Sequence, residues 1–354
     1  MTSPTEPVDP TGPVEPTGPV DPFLPSPLHD LMFGHIHSAA LRAVVVHGVA
    51  DHLAAGPRTA EDLASRTGTD AAALRRVLRL LASRGLFSED ERGGFRLEED
   101  GQPLRTDVPG SQHAGVVMIT DPMFARSAPG LQDTLHTGQP SFDLVYGMPF
   151  FEHLLKSPED RATFDAGMAA FSGAEDELVA QGYAFPEGAR VIDVGGGRGG
   201  LLGAVLDRQP SLSGVLFDQS ATVAEHLLDR PGLAGRWRTE SGDFFTAVPS
   251  GGDFYVLKHI LHDWNDEDCL RILGSIRRAA EPGARLLVVD SVLPGNSAPH
   301  PALELDIVML MALKGRERTA AEFGTLLDRA GFRLQRILPT PALPSIVEAV
   351  AVSP

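Results

Sequence analysis

From Arg190 onward the sequence alternates short apolar runs with amphipathic stretches, and this rhythm limits the possible folds more than any other feature. The runs that read as strands are RVIDV, GVLFD, WRTES, DFYVLK, ARLLVVD, FRLQRIL and SIVEAVAV. Helical periodicity fills the intervals near 199–208, 220–229, 266–280 and 319–330. Strands and helices in alternation predict an α/β domain with a Rossmann-like, doubly wound and largely parallel sheet. Such sheets bind ligands outside the carboxyl ends of their strands, so chemistry is expected at the last residue of each strand.

The first strand runs into VIDVGGGRGG, where Gly195, Gly197 and Gly200 satisfy G-x-G-x-x-G. That turn can cradle the pyrophosphate of a dinucleotide, because a helix N-terminus favours an anion. Asp193, two residues before the first glycine, would oppose a diphosphate and suit a cofactor that carries an ammonium and a sulfonium. Asp218 ends the second strand and can accept from ribose hydroxyls in either case. The third strand ends in Gly242, Asp243 and Phe244, an acid for an exocyclic amine beside a ring face for a base. Together these strand ends favour S-adenosylmethionine over a nicotinamide dinucleotide.

The fourth strand leads into DFYVLKHILHDWNDEDC, which puts Lys258, His262 and Asp263 at the strand top. A phenol has a pKa of ~10 and an imidazole ~6.5, so full proton transfer between unperturbed groups costs ~5 kcal/mol. A neighbouring sulfonium lowers that cost, so a positioned His262 suffices as general base without a metal. His259, closer to the strand body, reads as structural. The acids Asp263, Asp266, Glu267 and Asp268 invite a metal, yet Asn265 as N-cap with acids in the first helical turn accounts for them. No metal is expected.

Residues 1–27 form a proline-rich tail in which TGPV recurs, composition that resists helix and sheet. Residues 28–110 read as a winged helix-turn-helix: helical spacing over 28–55, a capped helix after Thr59, a second helix over 71–83 and a wing between Phe87 and Leu97. Such a module can read DNA through Arg75, Arg76 and Arg79, or it can dimerise. The acids Glu89, Asp90 and Glu91 in the wing and a net charge of −17 disfavour nucleic acid and anionic membranes. Residues 111–180 read as helices rich in Met and Phe that contribute to a substrate pocket, and 181–354 as the catalytic domain. No apolar run is long enough to span a bilayer and no secretory signal is evident. A lone cysteine, Cys269, suits a cytoplasmic protein.

VIDVGGGRGG, SGDFF, LKHILHDWNDEDC and KGRERTAAEF resemble the class I O-methyltransferases of the caffeic acid and hydroxyindole type, in particular the bacterial members that act on aromatic natural products. The resemblance covers nearly everything after the tail. It implies S-adenosylmethionine as cofactor, a small aromatic substrate methylated on a phenolic hydroxyl, and a homodimer formed through the N-terminal module. Carried onto matching positions, it implies His262 as general base framed by Asp290 and Glu317. It also implies cofactor contacts from Ser172, Gly195, Asp218, Asp243, Phe244 and Lys258, and a substrate wall from Phe164, Met168, Asp263 and Met309. Plant relatives carry Glu where this chain has Asp290, one methylene shorter, and Thr is more usual at Arg198. Two other readings remain: a relative that hydroxylates or decarboxylates, and a winged-helix DNA-binding regulator.

Overall fold

The computed structural model describes residues 26–352. The tail expected over 1–27 lies outside these residues except for its last two. Ser26 caps the first helix, Pro27–Val46, by accepting from the His29 N–H at 3.1 Å, and Pro27 takes the first helical turn. The single helical stretch expected over 28–55 is broken. Gly48 adopts a left-handed φ of 64°, and a short helix, Val49–His52, follows it.

The winged-helix outline is present. Strand β1 (Arg58–Thr59) precedes helices Ala60–Thr67 and Ala71–Ala82, and strands β2 (Phe87–Glu89) and β3 (Gly94–Leu97) form the wing. Thr59 and Asp70 cap the two helices, and Gly68 turns the chain between them with φ 67°. Phe87 pairs with Leu97, and the sheet order is β1-β3-β2. Leu63, Leu78 and Phe95 are fully buried, each adding about 1.5–3 kcal/mol of hydrophobic stabilisation. Two arginines of the DNA reading are engaged within the chain: Arg75 pairs with Glu61 at 2.7 Å and Arg79 with Glu89 at 2.6 Å.

Helices from His113 to Gln181 form a second layer, ending in the long helix Pro158–Gln181. That helix packs closely on helix His113–Ile119, because glycine sits at both crossing points. A Cβ at Gly167 would lie 2.6 Å from Met118 Sδ, and one at Gly115 would lie 2.6 Å from the Phe171 ring.

All seven strands read after Arg190 join one sheet. They are β4 (Arg190–Val194), β5 (Ser213–Asp218), β6 (Trp237–Ser241), β7 (Phe254–Lys258), β8 (Arg285–Asp290), β11 (Phe332–Leu338) and β12 (Ser345–Ala351). Their order is β11-β12-β8-β7-β4-β5-β6. The ladders from β8 through β6 are parallel, and β12 runs antiparallel to both its neighbours. Alternate residues face opposite cores: Tyr255, Leu257, Leu286 and Val288 one side, Phe254, Val256, Leu287 and Val289 the other. The helix expected over 220–229 spans only Ser220–Val223, and the chain then turns so that the Leu227 N–H donates to the Arg198 carbonyl at 2.8 Å. The short strands β9 (Val292–Leu293) and β10 (Arg318–Thr319) pair in parallel apart from the main sheet.

Candidate active site

At the end of β4 the chain turns through Gly195, Gly197 and Gly199, with φ of 70°, 59° and 84°. Gly195 is also sterically required, since a Cβ there would lie 2.6 Å from Ile260 Cδ1. The Gly197 N–H donates to Asp218 Oδ2 at 2.9 Å, which ties the turn to the end of β5. Arg198 is exposed and bonds the Glu225 carbonyl at 2.9 Å. Below the turn Asp193 is buried, and its Oδ2 has no hydrogen-bond partner. Burial, reinforced by the like charge of Asp176, pushes its carboxyl up to about 7. An orphaned acid under a glycine turn welcomes a cation and repels a diphosphate.

The rim of this site comes from three further elements: the segment after β6, the end of β7 and helix Pro158–Gln181. The Gly242 N–H donates to the Asp218 carbonyl at 3.0 Å, and a Cβ there would press to 2.8 Å on the Phe217 ring. Asp243 is exposed and accepts the Phe245 N–H at 2.9 Å through Oδ1. Phe244, half-buried, stands in an aromatic group with Phe245 and Trp264, at centroid distances of 4.9 and 6.3 Å. The Lys258 ammonium is held by Asp176 and by Glu175 at 3.2 Å, both on helix Pro158–Gln181. Ser172, half-buried, lies one turn earlier on the same helix.

His262 sits on the one-turn 3-10 helix Leu261–Asp263 just beyond β7 and is only 7% exposed. Its Nδ1 lies 2.8 Å from Glu317 Oε1, and its Nε2 lies 3.4 Å from Asp263 Oδ1. A carboxylate can only accept, so Nδ1 carries the hydrogen and Nε2 offers its lone pair when the ring is neutral. Burial works to lower the imidazole pKa, but the carboxylates of Asp263, Glu317 and Asp290 outweigh it and raise it to about 10. Asp263 itself is raised to about 6 by burial.

The two acids expected to frame His262 are placed unequally. Glu317 bonds the ring, whereas Asp290, fully buried at the end of β8, has no hydrogen bond to either oxygen. Asp290 lies 3.9 Å from Nδ1 of His259, and burial pushes its carboxyl up. It acts on His262 through charge. His259 has a φ of 53°, the one left-handed non-glycine backbone among the described residues. Its Nε2 meets Glu175 Oε1 at 2.7 Å and its ring stacks on His262 at 5.1 Å.

Glu317 arrives here through β10, which pairs with β9 immediately after Asp290 (Arg318 opposite Val292). Arg318, 1% exposed, then clamps the histidine turn: it donates to the carbonyls of Leu261 at 2.9 Å and Trp264 at 3.0 Å, and to Asp266 at 2.8 Å. The Glu317 N–H is taken by Asp306 at 2.8 Å. Gly315 lies so close that a Cβ would overlap the carbonyl of His262. Sequence reasoning missed Arg318 and Gly315, although both lie in the KGRERT segment it quoted. It also missed Glu175 and Asp176, whose only signal was a polar EDE run on a helix read as substrate wall.

Phe164 and Met168, half-buried on helix Pro158–Gln181, pack against Met118, Met123, Phe124, Phe142 and Phe150. Phe164 meets Phe150 edge-on at 5.2 Å. Met309 is buried on helix Pro301–Ala312, next to the Val308 and Ala312 that join this cluster. The acidic run after His262 behaves as expected for capping: Asn265 accepts the Asp268 N–H at 3.0 Å, and Asp266 pairs with Arg316 and Arg318. Metal-ligand atoms do converge elsewhere, with one each from His259, His262 and Asp290 within 4.8 Å of one another.

Comparison with known proteins agrees with this geometry. Residues 29–102 match the O-methyltransferase dimerisation domain and residues 129–333 the O-methyltransferase domain. A phenazine O-methyltransferase, PhzM of Lysobacter antibioticus, is 38% identical over 331 residues, covering 92% of this chain and 96% of its own. An O-demethylpuromycin-O-methyltransferase of Streptomyces alboniger is 40% identical over 91% of this chain and 88% of its own. The crystal structure of CalO1, a methyltransferase in calicheamicin biosynthesis in its SAH-bound form, superposes with a TM-score of 0.85. It is 44% identical and covers 92% of this chain and 97% of its own. The two family models and these relatives place this chain in the O-methyltransferase family, as an S-adenosylmethionine-dependent enzyme with the family's dimerisation domain in front of its catalytic domain.

Proposed function

We propose that the enzyme methylates a phenolic hydroxyl of a small aromatic natural product or its precursor, with His262 as the general base. The observation that carries this reading is the 2.8 Å contact between His262 Nδ1 and Glu317 Oε1, which turns Nε2 into the acceptor. Bound S-adenosylmethionine supplies the methyl group on a sulfonium. Asp193, Gly195, Gly197, Asp218, Gly242, Asp243 and Phe244 hold it, with Ser172 and Lys258 at the rim.

His262 takes the hydroxyl proton on Nε2. The surrounding carboxylates stabilise the imidazolium, which brings its pKa of about 10 level with that of a phenol at ~10. The transfer step itself is thereby brought near balance once the ring has lost its own proton, and alignment in a dry site supplies the rest. Glu317 fixes the ring by hydrogen bond and Asp290 biases it by charge. Phe164, Met168 and Met309 offer flat and polarisable surface to an aromatic guest, with Asp263 as the polar member of the wall.

The work divides along the chain. Residues 28–110 make the dimer, 111–180 add to the pocket and 181–354 carry the chemistry. A homodimer is supported by the stripe of Leu28, Leu31, Met32 and Ile36 on the first helix, which is 67%, 81%, 51% and 44% exposed. A cytoplasmic setting is supported by the lone free thiol, Cys269. No helix among the described residues is long and apolar enough to cross a membrane. Transfer of an isotope-labelled methyl group to a panel of phenols by the purified protein tests the reading. Cofactor binding without transfer to any hydroxyl would refute it.

A further inference from the structure

We propose that His259, His262 and Asp290 form a zinc-type transition-metal site at the acceptor end of the pocket, and that a metal bound there blocks the enzyme. The binding half of this proposal stands on geometry alone. The blocking half rests on His262 being the base.

The three side chains come from two neighbouring parallel strands. His259 and His262 follow β7, Asp290 ends β8, and the ladder pairs Lys258 with Val289. Their ligand atoms lie within 4.8 Å of one another, with His259 Nδ1 and Asp290 Oδ1 at 3.9 Å. Zinc held at ~2.0–2.1 Å from each ligand would set these atoms roughly 3.3 Å apart, a closure that side-chain rotation supplies.

Two further observations point to a ligand. Both oxygens of Asp290, a fully buried residue, lack a hydrogen-bond partner, and so does Nδ1 of His259. Buried polar atoms without partners are costly, and a metal would satisfy all three. Each histidine also has its other ring nitrogen on a carboxylate: His259 Nε2 on Glu175 at 2.7 Å, His262 Nδ1 on Glu317 at 2.8 Å. This carboxylate–histidine arrangement is the one that orients metal-binding imidazoles and strengthens them as ligands. The nitrogens left over are Nδ1 of His259, which faces Asp290 Oδ1 at 3.9 Å, and Nε2 of His262. Two imidazoles with one carboxylate suit zinc, cobalt and iron(II) and disfavour magnesium and calcium, which prefer oxygen.

The site also sets the consequence. A metal on Nε2 of His262 occupies the lone pair that takes the acceptor's proton, so metal and base catalysis exclude each other. Asp263 Oδ1, 3.4 Å from the same nitrogen, is at hand as a further ligand.

The test is a zinc titration of the full-length protein against a chromophoric zinc chelator, with neither methyl donor nor acceptor present. One zinc per chain is expected, with affinity at least tenfold weaker in H259Q and D290N. E175Q, which removes only the carboxylate behind His259, should weaken it about 10–100-fold and guards against failure of the other variants to fold. Cobalt(II) should develop d–d absorption in the wild type and lose it in D290N. Equal zinc affinity in all the variants would overturn the proposal and place the metal elsewhere, such as the histidines of the first helix. In a parallel assay with labelled methyl donor and a phenol, zinc that binds with the expected variant profile yet leaves methyl transfer intact would uphold the site and overturn both the block and His262 as base.

Discussion

Gly315 packs directly on the main chain of His262, leaving no room for a side chain at 315: a Cβ there would overlap the His262 carbonyl oxygen. The glycine comes from the segment that also delivers Glu317, so one loop both supports the base and orients it. G315A should push the histidine turn away from the acceptor. A displacement on the scale of 1 Å can cost about 10²-fold in rate. We expect kcat to fall by that order while S-adenosylhomocysteine affinity, measured by calorimetry, stays near wild type. Unchanged kcat would mean the turn absorbs the clash without moving the ring.

Removal of the base is the direct counterpart. H262A should lose about 10²-fold or more in kcat/KM for a phenolic acceptor. As the proposed base, His262 would act only when unprotonated, and its raised pKa keeps it protonated at neutral pH in the free enzyme. Activity should therefore climb with pH well past ~6.5, the ordinary imidazole value. E317Q removes one of the charges that raise the pKa, so its acid limb should shift to lower pH while the plateau falls. A limb that stays in place would show that Glu317 does not set the basicity of the ring.

Asp193 should make cofactor binding release protons. Its carboxyl is raised to about 7 by burial and by Asp176, so near neutrality it is partly protonated. A cation docking above it favours the charged form, so the proton leaves on binding and affinity rises as pH rises through 7. Calorimetry in buffers of different ionisation enthalpy reads the proton count. D193N should bind the methyl donor more weakly and lose the linkage. Proton uptake in the wild type would reverse the assignment.

Cys269 should be chemically silent in the folded enzyme. It is fully buried, its thiol is pushed up to about 12 by burial, and Sγ bonds the Leu261 carbonyl at 3.2 Å. The thiolate is the reactive form. Iodoacetamide at neutral pH should leave the native protein unmodified and label it fully in denaturant, as intact-mass spectrometry will report.

The inner strands were legible because they bury both faces and so stand out as short apolar runs, RLLVVD and FYVLK most clearly. His262, Glu317 and Asp290 were accessible through motifs at strand ends. What stayed hidden depended on tertiary contact. Glu175 and Asp176 look like solvent-facing helix residues until the Pro158–Gln181 helix brings them to Lys258 and His259. Arg318 looks like a surface cation, yet its burial follows from three acceptors supplied by a turn more than fifty residues away. The break at Gly48 and the short Ser220–Val223 helix were missed because periodicity says which face is apolar and little about where the backbone turns. His259 read as structural because its unusual φ and its place against Asp290 have no signature along the chain.

Helix Pro158–Gln181 serves two masters. Its first half presents Phe164 and Met168 to the aromatic cluster, and its second half presents Glu175 and Asp176 to Lys258 and His259 at the strand top that leads to the proposed base. A chimera built to borrow another acceptor range thus has a natural seam between Met168 and Ser172. Grafts that end before the seam exchange the chamber alone, whereas grafts that run past it import a foreign scaffold for the proton chemistry as well.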